Sequence, residues 1–183
     1  SFMDNSAISL IPDITEVLKQ NIHIHIYAPQ EQINKEHIEK ITLNDEGLKN
    51  YLHIHNYVSP EKLSKEISKY DFGMFFSQFS KVMRPSAAQY VSGNKRASYF
   101  EASIPCITHI NAKFINKDIH DNYLGILLKD IKDLKKIIKN FDYPKSIKNI
   151  EKFRKNNSVE NNAPRLIEFI KSINLKKFRK SPV

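Results

Sequence analysis

Cysteine and glycine are scarce in this chain, and long apolar runs are absent. The 183 residues include one cysteine, Cys106, which has no partner for an internal disulfide. No apolar run approaches the roughly 20 residues that a membrane span requires, and no signal-peptide pattern opens the chain. These features argue against a disulfide-stabilised secreted scaffold and predict a protein of the reducing cytoplasm.

The four glycines are few for this length, so the turns must depend on Asn, Asp, Ser and Pro. The length fits one domain, and a hydrophobic content of 40% with a charged content of 27% is ordinary for a globular protein. We therefore expect one domain over residues 1–183, ending in a flexible basic tail over residues 174–183.

The net charge of +9, from 29 Lys+Arg against 20 Asp+Glu, indicates an anionic partner or a well-solvated surface. The lysines are scattered along predicted helix faces, and many alternate with acidic residues, as on solvated surfaces. We therefore favour an anionic substrate or an anionic membrane over nucleic acid. The one dense cluster, residues 176–180, is suited to acidic lipid, unless it is simply a solvated chain end.

Short apolar segments rich in β-branched residues alternate with segments of helical periodicity. The predicted strands are residues 22–27, 52–58, 72–76, 106–109 and 125–128. The predicted helices lie near residues 12–20, 60–70, 94–103, 134–141, 147–155 and 165–173. This alternation predicts an α/β fold, a parallel sheet with helices on both faces. A parallel α/β domain normally begins with a strand, so we expect an upstream segment, up to a whole domain.

Ligands of such sheets bind beyond the carboxyl ends of the strands, which directs attention to the loops after Ile54, Phe76 and Thr108. The segment Ser92-Gly93-Asn94-Lys95 opens a predicted helix after one of these loops. Backbone N–H groups at a helix start lack partners, and the helix dipole favours negative charge there. The segment therefore points to an anionic ligand, such as a nucleoside diphosphate. The alternative is an ordinary helix start with an exposed lysine.

Four histidines form two pairs, His23 with His25 and His53 with His55. The members of each pair are two residues apart on a strand and so share a face. Such pairs can bind zinc, but no Cys or further His completes a tetrahedral set, and no Asp-x-Asp motif is present. We expect half-buried strand histidines and no metal site.

Taken in order, these segments resemble the C-terminal, donor-binding half of a GT-B fold glycosyltransferase. The likeness runs from about Leu10 to the end of the chain. The segments that carry it are His55 to Leu63, Tyr70 to Phe76, Asn94-Lys95-x-x-x-Tyr99, Ile104-Pro105-Cys106-Ile107 and Asn122 to Leu127. Two residues depart from the family pattern. Ser98 stands where the family often has a ribose-binding Glu, and Ser103 stands where it has Gly.

The resemblance implies a single Rossmann-like domain, one half of a GT-B fold, that binds a nucleotide-diphosphate sugar. It implies a role for Ser92, Gly93, Asn94 and Lys95 at the pyrophosphate. The other residues that it implies are Ser98 and Glu101 at ribose or sugar hydroxyls, Asn56 and Tyr57 at the base, and Arg84 as a second phosphate contact.

The implied function is hexosyl transfer to a glycan, lipid or protein in bacterial surface polysaccharide or glycoconjugate synthesis, at the inner face of the membrane. The acceptor site and general base are expected in an N-terminal domain, so this chain alone should bind nucleotide and transfer little sugar. No cofactor beyond the donor is implied. Two alternatives remain: a non-catalytic Rossmann-like interaction module, and a basic domain that binds polyanions or membrane surfaces.

Overall fold

Helices and parallel strands alternate along the chain, as the sequence predicts. The computed structural model describes residues 4–29, 39, 41, 45–75 and 94–178. The strands are β1 (Ile24–Ala28), β2 (Leu52–Asn56), β3 (Gly73–Met74), β4 (Cys106–His109) and β5 (Gly125–Leu128). The α-helices are α1 (Asp4–Leu18), α2 (Pro60–Ile67), α3 (Asn94–Glu101), α4 (Lys113–Asn122), α5 (Leu134–Lys139), α6 (Tyr143–Asn156) and α7 (Val159–Phe178). Two 3-10 helices, Glu46–Tyr51 and Ile131–Asp133, precede β2 and α5.

Local sequence explains where several elements begin and end. Pro60 opens α2, where its fixed φ suits the first helical turn. The helix α3 ends at Glu101, and Ser103 follows in the left-handed region with φ of 60°. Pro105 then prevents any continuation of the helix and leads directly into β4.

The strands form two parallel sheets rather than the one sheet that the sequence predicts. β1 pairs with β2, with Ile24 opposite Leu52. β3, β4 and β5 form the second sheet, in that order, with Ile107 of β4 opposite Met74 and Ile126. Among the described residues, no strand joins β1 to β3, so each sheet has a free edge there.

The two sheets nevertheless separate the same two layers of helices. Alternate strand residues pack into one core cluster with α1, the second 3-10 helix and α5; these residues are Ile24, Ile26, Met74, Ile107, Ile126 and Leu128. The intervening residues face the opposite layer, where Tyr27 packs near α2 and Phe75 and Cys106 pack with α3, α4 and α6. This is the two-residue alternation of buried strands, continued from one sheet to the other.

Several predicted bounds change. The predicted strand 72–76 is reduced to Gly73–Met74 within the described residues, and the strand predicted over 52–58 ends at Asn56. The helix α4 was not predicted, because its sequence is short and mostly polar. Residues 174–178 of the predicted tail continue α7, and residues 179–183 lie outside the described part.

The last helix, α7, is largely unpacked on its apolar side. Six large apolar side chains within residues 159–173 are 40–78% exposed; they are Val159, Leu166, Ile167, Phe169, Ile170 and Ile173. Side chains of its first turns bond back to α6, where the Asn162 amide donates to the Asn156 carbonyl at 3.1 Å. No helix in the described part of the chain combines the length and apolar character needed to cross a bilayer.

Candidate functional site

A cavity of about 880 Å³ lies between the two sheets. Its walls come from β1, β3 and the helices α1, α2, α3 and α5. Most of the lining residues are apolar. Polar residues line it at several places: within residues 21–25, at Asp71, in the segment after β2 and at the start of α3.

Three residues predicted to bind the ligand line this cavity. Lys95 and Ser98 reach it from the first turns of α3, and Tyr57 reaches it from the segment that follows β2. Tyr57 is far in sequence from the other two residues, and β2 and α3 bring all three to the lining of the same cavity. We call Tyr57, Lys95 and Ser98 the polar rim.

The other predicted site residues lie elsewhere or outside the described part. Asn56 and Glu101 are exposed and do not line the cavity. Asn94 begins α3, but its side chain is not described. Ser92, Gly93 and Arg84 lie outside the described residues, so their predicted roles at the phosphates stay predictions.

Lys95 differs from its neighbour Arg96 in its electrostatic partners. Arg96 is half-buried, and its Nη1 donates to Asp118 Oδ2 of α4 at 2.6 Å. Lys95 is exposed at the cavity and has no carboxylate within 4.0 Å among the described residues. The ion pair of Arg96 fixes the start of α3, and the ammonium of Lys95 remains available for an anion.

Tyr57 and Ser98 supply the remaining polar groups of the rim. The Tyr57 side chain is 60% exposed, which is unusual for a large aromatic group and leaves a ring face available for stacking. Ser98 is half-buried, one turn beyond Asn94, and its hydroxyl can both donate and accept a hydrogen bond.

Close packing of α3 on β3 sets the position of the rim. The Tyr99 hydroxyl donates to the Met74 carbonyl at 3.2 Å, and its ring meets Phe75 edge-on at 5.4 Å between centroids. A Cβ built on Gly73 would overlap the Tyr99 ring. Gly73 therefore allows α3 to approach the sheet. This role of Gly73 was not predicted from the sequence, although a lone glycine inside an apolar strand is its usual signal.

The four histidines form a stacked ladder across the β1–β2 pair, with His23 directly before β1. Two of them, His23 and His25, line the cavity. Nδ1 of His23 lies 2.8 Å from Nε2 of His53, and Nδ1 of His25 lies 2.9 Å from Nε2 of His55. Burial, and secondarily the charges of the other three histidines and a lysine, lower the pKa of His25 to about 4. Within the described residues, no group of three or more His, Cys, Asp or Glu side chains is arranged to hold a metal ion.

Comparison with known protein families identifies a match over most of the chain. The family model of the glucosyltransferase 3-like C-terminal domain matches residues 12–161. This span contains all five strands, the polar rim and the histidine ladder, and it ends in the first turn of α7. No curated protein matches the chain.

Proposed function

The chain belongs to the glucosyltransferase 3-like C-terminal domain family, and we propose that it is the donor-binding half of a GT-B glycosyltransferase. The proposal rests on one observation: Tyr57, Lys95 and Ser98 line the same cavity, beside the start of α3. The proposed ligand is a nucleotide-diphosphate sugar.

In this proposal Lys95 acts on the leaving group. Sugar transfer releases a nucleoside diphosphate, on which negative charge develops as the glycosidic bond breaks. An exposed ammonium beside the first N–H groups of α3 favours that charge, and it acts more strongly on the diphosphate than on the intact donor. The interaction therefore lowers the barrier as well as binding the substrate.

In the proposed site, Tyr57 and Ser98 bind the nucleoside part of the donor. The exposed Tyr57 ring stacks on the base, and the Ser98 hydroxyl bonds the ribose more weakly than a carboxylate would. Since Glu101 and Asn56 lie off the cavity, we leave their side chains out of the proposed donor site.

The acceptor site and general base belong, in this proposal, to a second domain of the same enzyme. The acceptor is a glycan, lipid or protein of the cell surface, and transfer takes place at the cytoplasmic face of the membrane. The isolated chain should bind nucleotide without appreciable sugar transfer.

Calorimetric titration tests the donor site. UDP, GDP, CDP, ADP and the four nucleosides are titrated into the chain and into Lys95→Ala. The matched control is Lys148→Ala, which removes the same charge from an exposed position of α6 away from the cavity. We expect one diphosphate to bind, about 10- to 100-fold more weakly in Lys95→Ala, with Lys148→Ala unchanged.

Other outcomes identify the alternatives. Equal binding of every polyanion, with a steep dependence on salt, would indicate a polyanion-binding surface. If none of the four diphosphates binds the folded chain, the result would favour a non-catalytic module. The presence of Ser98 where the family often has Glu would agree with that result.

A further inference from the structure

The cavity is bounded by the free edges of both sheets. Every residue from Ile22 to Tyr27 lines it, and so does every residue from Asp71 to Met74. Successive strand residues point to opposite faces, so a cavity lined by all of them meets the strand at its edge. The strands paired on the other sides, β2 and β4, contribute only Ile107 to the lining.

The cavity is also apolar above and below these edges. One helix layer supplies Ile14 and Val17 from α1 and Leu134 and Ile138 from α5. The opposite layer supplies Leu63 and Ile67 from α2, together with Ile104. Apolar groups on both faces are the environment of a central strand in a parallel α/β sheet.

The size of the cavity fits a short strand. A strand rises about 3.3 Å per residue, lies about 4.8 Å from its neighbours and fills a layer about 10 Å thick, so five residues occupy about 800 Å³. The cavity volume is about 880 Å³. A strand there would also bond the backbone N–H and C=O groups along the free edges of β1 and β3.

We propose that this cavity is the slot of an additional β-strand of about five apolar residues, which pairs with β1 and β3 and leads into α1. Its insertion would join the two sheets into one continuous sheet. The strand would occupy the apolar body between the edges and fill most of the cavity volume. The proposed donor would then bind outside the filled body, against the polar rim of Tyr57, Lys95 and Ser98.

The course of α1 identifies the occupant. α1 passes into β1 through the short turn at residues 19–23, as a crossover helix does, and Ile14 and Val17 cover the slot. A strand that precedes such a helix in a βαβ unit lies parallel to the strand that follows it. The edge of β1 open to that strand is the one that lines the cavity. The proposal therefore assigns the slot to polypeptide joined to the start of α1.

Two fusions test the proposal. Each adds about six residues before Ser1. One carries the apolar, β-branched sequence Val-Ile-Val-Leu-Ile-Val, and the control carries proline at alternate positions, which removes the donors a strand needs. Hydrogen exchange, thermal unfolding and light scattering are measured for both fusions and the parent chain.

The strand fusion should remain monomeric, melt at a higher temperature and exchange the amides of residues 24–28 and 73–74 at least about tenfold more slowly than the parent. The proline fusion should match the parent. Protection confined to β2 or β5, or protection that appears only with dimerisation, would overturn the proposal. A monomeric strand fusion without protection would do so as well.

A second measurement applies if the strand fusion aggregates. The same apolar sequence, made soluble by terminal lysines, is added as a free peptide to the parent chain. Protection of residues 24–28 and 73–74 supports the slot, and its absence at saturating peptide contradicts it. Neither result depends on nucleotide binding, so failure of the slot and failure of the proposed function remain distinguishable.

Discussion

The imidazole rings of His25 and His53 lie stacked, with centroids 4.3 Å apart and planes 14° apart. His25 belongs to β1 and His53 to β2, so the stack crosses the pair of strands. The Tyr70 ring also contacts His25, with 4.3 Å between the ring centroids. Protonation of His25 would place a positive charge inside a partly buried stack of four histidines.

This arrangement predicts a pH-dependent stability. The pKa of His25 is about 4 in the folded chain, against 6.5 for a free histidine, so the unfolded chain binds more protons between these values. The stabilisation is complete above pH 6.5 and is lost as the pH falls towards 4. We expect the melting temperature to drop between pH 7 and pH 5, and to drop less in His25→Gln. Thermal melts between pH 7 and pH 5 measure how the melting temperature changes. The control is His120→Gln, which replaces a histidine at an exposed position of α4. Equal slopes in all three proteins would contradict the assignment.

At Gly125 we expect the addition of one methyl group to destabilise the fold strongly. It lies opposite Cys106 in the β4–β5 pair, and a Cβ built on it would overlap the Cys106 backbone carbonyl. The neighbouring backbone cannot move without breaking the sheet, so Gly125→Ala should cost about 3 kcal/mol of unfolding free energy. Urea denaturation measures this loss. In the control Gly47→Ala, the new Cβ would lie 3.0 Å from Asp45 Oδ1. This atom belongs to an exposed side chain and can shift at the cost, at most, of its hydrogen bond from the Gly47 N–H. Equal losses in the two variants would refute the backbone explanation.

At Ser103 we expect a substitution that raises the free energy of unfolding, unlike Gly125→Ala. Its φ of 60° follows the end of α3, where glycine carries no steric penalty. That penalty is about 1–2 kcal/mol for other residues. The Ser103 hydroxyl accepts a hydrogen bond from Arg154 Nη1 at 2.8 Å, but the pair is exposed and contributes less. Ser103→Gly should therefore gain about 0.5–1 kcal/mol. Ser103→Ala keeps the strain and loses the bond, so chemical denaturation should rank it below the parent.

The sequence predicts the fold best where local signals agree. β4 and β5 have the predicted bounds, because Pro105 and Gly125 mark the starts of two short apolar runs. The sequence also directed attention to the segments after the parallel strands, and Tyr57, Lys95 and Ser98 do line one cavity. Their binding of a ligand stays a prediction.

Features that depend on distant packing were not predictable. The gap between the sheets arises from which strands pair, and no residue of β1 or β3 signals by itself that its edge is free. Glu101 was expected to share the site with Ser98, but it lies one turn further from the start of α3 and is exposed outside the cavity. Helical spacing places side chains on a face and does not say how far along the helix a cavity extends.

The exposed side of α7 predicts that most of this helix contributes little to the stability of the fold. Six large apolar side chains within residues 159–173 are 40–78% exposed, whereas Ile150 of α6 is 0% exposed within the core. Truncation after Ala163 keeps the bond of Asn162 to α6 and removes the apolar side chains beyond it. The melting temperature should change little, while Ile150→Ala should cost about 2–5 kcal/mol. A loss on truncation as large as that of Ile150→Ala would show that α7 packs on the domain in solution. Thermal and urea unfolding of the truncated chain beside Ile150→Ala decide between these outcomes.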